Sequence, residues 1–318
     1  MSRRAKVWVA LWTVYIIWGS TYLGIELVGE SMPGTFAAGV RFTLAGLLML
    51  GFIALRRGGT ALRATRAELL AAAVVGVLLP GANSILFITE QHVPIGLTSL
   101  IIASVPLWVL LLQLAARERP DLISSIGLLV GFGGIVLLVE PGGGSGSLGY
   151  LLLTVAAAFM WALGSFVSPR IPVPRNALVA TGYEMLAGGL VLLVVGLAVT
   201  SPSELDPSRW SSRSVFGLAY LIVFGSIIGY SAYAWLLANA PISQVSTYAY
   251  VNPVVAIALG VIVLDETLTL RVVAGALLIL LSVAIVLRRE ARIAAALEPG
   301  EVVRADGHAA ELAPARRS

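Results

Sequence analysis

Two charged side chains stand deep inside long apolar runs: Arg41 in GVRFTLAG and Glu184 in GYEMLAGG. A charge at the middle of a hydrocarbon-spanning helix costs about 2.5–3.5 kcal/mol on insertion scales, so each needs a partner or water. Two kinds of chemistry are open to them. Arg41 and Glu184 can be anchors, the guanidinium bonding backbone carbonyls and the carboxylate bonding hydroxyls. Alternatively Glu184 can titrate. Burial raises a carboxyl pKa and a nearby guanidinium lowers it, so a change in their separation would bind or release a proton. Both residues are therefore coupling candidates, with protons as the candidate ion and a depth difference small enough for long side chains nearly to meet.

Polar residues recur at helical spacing in three further runs. Ser226, Tyr230 and Tyr233 fall at i, i+4 and i+7, as do Ser243, Thr247 and Tyr250, and Asn83, Phe87 and Glu90. Each set shares one helix face, and in lipid that face turns to protein or water. Asn83, Tyr230 and Tyr250, near mid-run, are candidates for a solute cavity. Tyr233, Ser243 and Glu90, near the ends, read as interface or rim. A stripe of Trp8, Trp12, Tyr15, Gly19, Tyr22 and Glu26 marks the first run. Trp8 and Trp12 suit the membrane interface, whereas Trp18 and Tyr22 could stack on a solute. Pro80, Pro106 and Pro253 lie within runs, where each removes one helical hydrogen bond and makes a kink or hinge. Carbonyls freed beside Ser104 and Asn252 could then reach solute.

Other chemistries lack their residues. There is no cysteine, and the two histidines, His92 and His308, have no second ligand at useful spacing. No phosphate-gripping glycine loop occurs. Gly142-Gly143-Gly144-Ser145-Gly146 reads as a flexible linker. No cofactor, metal or catalytic residue is expected. A membrane-embedded enzyme would need catalytic groups clustered at one depth.

The elements that position these residues follow from composition. Hydrophobic residues make up 58% of the 318 and charged ones 12%, against about a quarter charged in soluble domains. Ten apolar runs, at 7–28, 35–55, 69–89, 95–115, 122–139, 149–168, 177–199, 215–237, 244–264 and 270–287, approach the ~20 residues a helix needs to cross a bilayer. They are too long for barrel strands, so the expected fold is an all-α integral membrane protein of ten transmembrane helices. Residues 288–318, rich in Ala, Arg and Glu, read as a solvated or disordered tail. The first run is too long for a signal h-region and is expected to be retained. With the N-terminus inside, 17 of the 21 basic residues fall on inner segments and three on outer loops. That is the positive-inside pattern, with both termini cytoplasmic, and it argues against a nucleic-acid partner.

The second half of the chain repeats the first. Pro94 and Pro106 in VPIGLTSLIIASVP map onto Pro241 and Pro253 in APISQVSTYAYVNP at one offset of 147. Trp18-Gly19-Ser20 resembles Trp161 with Gly164-Ser165, Leu44-Ala45-Gly46 matches Leu186-Ala187-Gly188, and Glu118 and Gly127 match Glu266 and Gly275. The expected units are 1–140, a linker at 141–148, 149–287, and the tail. Five runs per unit is an odd number, so the second unit enters the membrane from the opposite side. Inverted repeats suit a carrier, because exchanging the two units' conformations exchanges the side to which a central cavity opens. A passive channel or a structural membrane protein is the alternative.

Trp18-Gly19-Ser20-Thr21-Tyr22, Gly39-Val40-Arg41-Phe42, Tyr248-Ala249-Tyr250-Val251-Asn252-Pro253 and Asp265-Glu266-Thr267-Leu268, in that order, resemble the drug/metabolite transporter superfamily, EamA type. The resemblance runs from about Val7 to Leu287. It implies secondary-active movement of small organic metabolites, such as amino acids or drug-like solutes, across a bacterial inner membrane. It also implies a cavity between the halves, with helices 5 and 10 peripheral and export the expected direction. The missing nucleotide motif leaves an ion or solute gradient as the energy source. It leaves substrate and oligomeric state open.

The charge bias predicts a topology. A cysteine placed at Ser201 should react with an impermeant thiol reagent on intact cells, and one at Thr65 only after permeabilisation. Labelling in the reverse order would invert the assignment.

Overall fold

The computed structural model describes residues 2–117, 122–139, 147–240, 242–245 and 247–297. Glu118, Pro241, the glycine-rich linker and the stretch carrying His308 lie outside the described residues. Spans 1 to 3 are helices Arg3–Gly29, Gly34–Arg57 and Arg66–Thr89. Span 4 is Ile95–Ile102 followed by Val105–Ala115. Spans 5 to 7 are Leu122–Val139, Leu148–Val167 and Ala177–Val199. Span 8 runs through Ser212–Tyr220, Leu221–Ile228 and Gly229–Asn239. Span 9 is Tyr248–Val263 and span 10 is Leu270–Leu297. No strand occurs among the described residues.

Composition and caps explain these bounds. Thr65 and Glu68 form a reciprocal capping box at the start of span 3, and Asn176 and Ser211 cap spans 7 and 8. Each satisfies backbone N–H groups that a helix start leaves orphaned. Two expectations change. Span 10 continues to Leu297, so the segment read as a solvated or disordered tail begins as helix. Span 9 starts at Tyr248 rather than residue 244, because Ile242–Val245 forms a separate short helix. Large apolar side chains such as Leu55, Ile262 and Leu270 are 89, 76 and 86% exposed. Such a surface is stable in lipid and not in water.

Repeat-equivalent spans pack on each other: span 2 on span 7, and span 5 on span 10. Span 1 packs on spans 8 and 9, and span 6 correspondingly on spans 3 and 4. Small residues permit the close crossings, as expected where association relies on van der Waals contact. Gly127 and Gly131 in span 5 face Ser282 of span 10, whose hydroxyl bonds the Gly127 carbonyl. Gly19 faces Val255 of span 9 and Gly164 faces Leu78 and Leu79 of span 3. The closest crossing joins Gly76 of span 3 to Gly188 of span 7. Pro80 leaves the Gly76 carbonyl without its helical donor, and a Cβ on Gly188 would overlap that oxygen. Pro80 thus sits in a tight contact.

This packing makes a prediction. Gly188→Ala should lower the thermal midpoint of the purified protein, since overpacking costs about 1–3 kcal/mol. Gly51→Ala, where a Cβ would meet open space, should leave it unchanged.

Candidate functional site

Spans from both halves enclose a central cavity of about 120 Å³. A cavity of about 150 Å³ takes benzene, so the space as it stands suits a solute of about half a dozen non-hydrogen atoms. Of the residues singled out in sequence, Trp18, Tyr22, Arg41, Asn83, Tyr230, Asn252, Pro106 and Pro253 line it. Ser104, Tyr250, Glu184 and Pro80 are not on its wall.

Backbone irregularity shapes the cavity. Pro106 and Pro253 remove the N–H groups that would bond the carbonyls of Ile102 and Ala249. Both of these residues lie on the wall, and they are repeat mates at the offset of 147. In span 4 the helix breaks at Ala103-Ser104 and restarts with Pro106 in its first turn. The Ser104 hydroxyl turns back onto the Ile101 carbonyl, which occupies it. In span 8 the eight residues Leu221–Ile228 wind as π-helix. Such segments are rare and recur at functional sites. Here the π-helix presents the Gly225 carbonyl to Trp18 Nε1 at 3.2 Å and the Ser226 hydroxyl to Arg41 Nε at 3.1 Å.

Arg41 is 3% exposed. Its Nη1 also donates to Asn83 Oδ1 at 2.9 Å, and its guanidinium lies 4.7 Å from the Phe42 ring centre. It forms no ion pair with Glu184: the ion pair within 4.0 Å among the described residues joins Arg213 and Glu30, at 3.2 Å. Spans 3 and 8, through their repeat-mate residues Asn83 and Tyr230, place one polar group each on the cavity beside that cation.

Aromatic rings form one side. Trp18 meets Tyr230, Tyr233 and Tyr248 at centroid distances of 5.1, 5.1 and 5.3 Å. Tyr233, read from sequence as rim, belongs to this cluster. Tyr250 lies instead towards Tyr15 and Arg288. Thr21, Ser99, Trp161 and Tyr248 complete the polar and aromatic lining and were missed in sequence. Two of them had a signal: Trp161 is the repeat counterpart of Trp18, and Tyr248 is one turn from Asn252.

The end of the cavity near Leu86 leads to carboxylates. Glu90, expected at a rim, is 3% exposed, and neither carboxylate oxygen has a hydrogen-bond partner. Glu26 accepts from Gln91 Nε2 at 3.2 Å. Glu266, between spans 9 and 10, accepts from the N–H groups of Ile95 and, at 3.1 Å, Gly96, so a residue of the second repeat caps span 4 of the first. Burial lifts the Glu266 carboxyl above its usual range, and those two N–H bonds oppose the shift. No group of three or more acidic or histidine residues suited to a metal occurs among the described residues.

A ten-helix protein of two repeats, with a largely apolar cavity carrying a few polar groups between them, has the architecture of a membrane carrier. The chain belongs to the EamA-like transporter family, which it matches over residues 7–140 and again over 148–288. It is 37% identical over 262 residues to the uncharacterized inner membrane transporter YedA of Escherichia coli K12, covering 82% of this chain and 83% of that one. It is 26% identical over 279 residues to a probable amino-acid metabolite efflux pump of Salmonella typhimurium, covering 84% and 90%. A solved structure described only as a crystal structure of a protein superposes with a TM-score of 0.60 at 20% identity, covering 89% of this chain and 96% of that one, and shares the fold. The protein is therefore a multi-pass inner-membrane transporter of small solutes and not an enzyme.

The shared support of Arg41 gives the prediction here. Asn83→Ala should destabilise the purified protein by about 1.5–3 kcal/mol, because it strips a buried charged donor of its acceptor. Ser226→Ala added to it should cost more than the two single changes summed, read as a double-mutant cycle in thermal unfolding.

Proposed function

We propose that the protein is a secondary-active carrier, working in the export direction by alternating access around the central cavity. The observation that supports this best is the pairing of Pro106 with Pro253. Equivalent positions of the two repeats interrupt the helical backbone beside one cavity. Exchanging the conformations of the halves would expose that space to one side and then the other. The lining carries one cation, amides, hydroxyls and aromatic rings, which suits neutral or zwitterionic metabolites of amino-acid size and disfavours polycations. The amino-acid metabolite pump among the relatives supports that reading by analogy. The arginine and lysine bias of the loops supports a cytoplasmic location for both termini.

Energy comes from an ion gradient, with the proton as the candidate ion. Glu184 of span 7 is the candidate group to carry it. It sits off the wall, where a solute would not displace it directly.

The test is counterflow and pH-driven uptake in proteoliposomes. Tyr230→Ala should abolish solute movement at normal abundance while Tyr250→Ala, off the wall, keeps it. Glu184→Gln, which preserves shape but carries no charge, should still exchange solute and no longer concentrate it under a pH gradient. Concentrative transport with unchanged pH dependence in Glu184→Gln would remove Glu184 from coupling. Equal flux in wild-type and Tyr230→Ala protein would remove the cavity from the path.

A further inference from the structure

Arg41 lacks a counter-charge. A guanidinium does not give up its proton in a protein, so it cannot escape burial by becoming neutral. Its two hydrogen-bond partners, Asn83 and Ser226, are both uncharged. Two of its five N–H groups are thereby used, and three remain. Acids do occur in the surroundings, Glu90 at the cavity's end and Glu184 beyond Tyr230, yet neither forms an ion pair with it. An uncompensated buried charge is costly, and membrane proteins keep such charges where they face a ligand or a pathway.

The unused donors are accessible to the cavity. Arg41 lines it, and Nη2 lies beside Gly225, where even a Cβ would come within 3.2 Å of that nitrogen. Glycine at 225 leaves the outer edge of the guanidinium uncovered. A planar fork of N–H groups matches a carboxylate in two parallel hydrogen bonds.

A second pole carries acceptors without donors. Asn252 Oδ1 is buried on the cavity side of span 9 with no hydrogen-bond partner. Ile102 and Ala249, whose carbonyls lose their helical donors to Pro106 and Pro253, are residues of the same wall. Buried acceptors of this kind call for N–H or O–H groups from a ligand or water. Between the poles stand the rings of Trp18, Tyr230 and Tyr248.

We infer that Arg41 is the docking point for the carboxylate of a small monocarboxylic solute, and that the Asn252 pole receives an N–H or O–H group of the same molecule. This deepens the carrier reading of the cavity and rests on it. Both poles border the same space, so one small solute can face Arg41 and Asn252 with its apolar part against the rings. A cationic solute without a carboxylate meets an unneutralised guanidinium in a poorly solvated space and is rejected. Arg41 then selects for charge, and the Asn252 pole selects for the donor at the other end.

The experiment compares matched acids and amides on the purified full-length protein. The probes are phenylalanine with phenylalaninamide, 4-hydroxyphenylacetate with its carboxamide, and lactate with lactamide, titrated by thermal stabilisation. At least one acid should bind about tenfold or more tightly than its own amide, as expected for replacing a charge-assisted pair by a neutral contact. The preference should fall below about twofold in Arg41→Gln and survive in part in Arg41→Lys. Should Arg41→Gln fail to fold, Gly225→Ala covers Nη2 while keeping the charge, and should reduce the acid preference several-fold. Asn252→Ala should weaken an acid and its amide by similar factors. A wild-type protein that no acid of the panel stabilises, that acids and amides stabilise alike, or whose preference persists with Arg41 or its Nη2 edge removed, overturns the proposal. Binding is read here without transport. Acid-selective binding with no flux would count against the carrier cycle alone, and flux without acid selectivity against Arg41 alone.

Discussion

Inside hydrocarbon every backbone N–H and C=O has to find its partner within the protein, since no water is there to supply one. Most of this chain obeys that constraint as uninterrupted α-helix. Apart from Pro80, which packs against Gly188, the departures collect around one volume: the break at Ala103-Ser104, the prolines at 106 and 253, and the π-helical turns at Leu221–Ile228. Irregular backbone is tolerated in a membrane where it is buried in protein or borders a polar space. The cavity and the broken helices are thus one feature. Regular helices would close the space, and without the space the freed carbonyls would have no compensation.

The same constraint governs the side chains. Arg41 can stay charged because span 3 supplies Asn83 and the π-helix of span 8 supplies Ser226. Those two spans are repeat mates, so the two halves jointly hold one cation that only the first half provides. Glu266 repeats the theme at the end of span 4, where a carboxylate from the second half satisfies N–H groups of the first. Neither half has its polar groups satisfied alone.

Much of the architecture was legible in the sequence. Span lengths follow from hydropathy, because the bilayer sets a fixed length for an apolar helix. The duplication was visible because Pro and Gly mark positions that tolerate few substitutes, so offsets such as Pro106 to Pro253 persist. The lining was partly legible from helical spacing, as with Asn83 and Tyr230. Position along a span is a weaker guide than spacing: Tyr233, read as interface or rim because it lies near the end of its run, shares the face of Tyr230 and meets Trp18 beside it. Spacing cannot tell which polar residue finds a partner of its own. Ser104 satisfies itself on Ile101, and Tyr250 shares its helix with Asn252 yet points elsewhere. The expected approach of Arg41 to Glu184 rested on equal depth, which says nothing about azimuth around the bundle. Asn83 and Ser226 hold the guanidinium in the structure.

Pro80 and the π-segment invite one last comparison. Adding the offset of 147 to Pro80 gives Ile227, inside Leu221–Ile228. The two halves loosen the same place in equivalent helices by different means, one through a missing N–H and the other through a wider winding. Pro80 is clamped against Gly188, whereas the π-segment leaves its wider turns beside Trp18 and Arg41. A molecule whose halves trade roles would therefore find its two end states unequal in free energy, and a gap of about 1.4 kcal/mol makes one ten times as populated as the other. At this one place the two halves differ in backbone, a proline in one and a π-helix in the other.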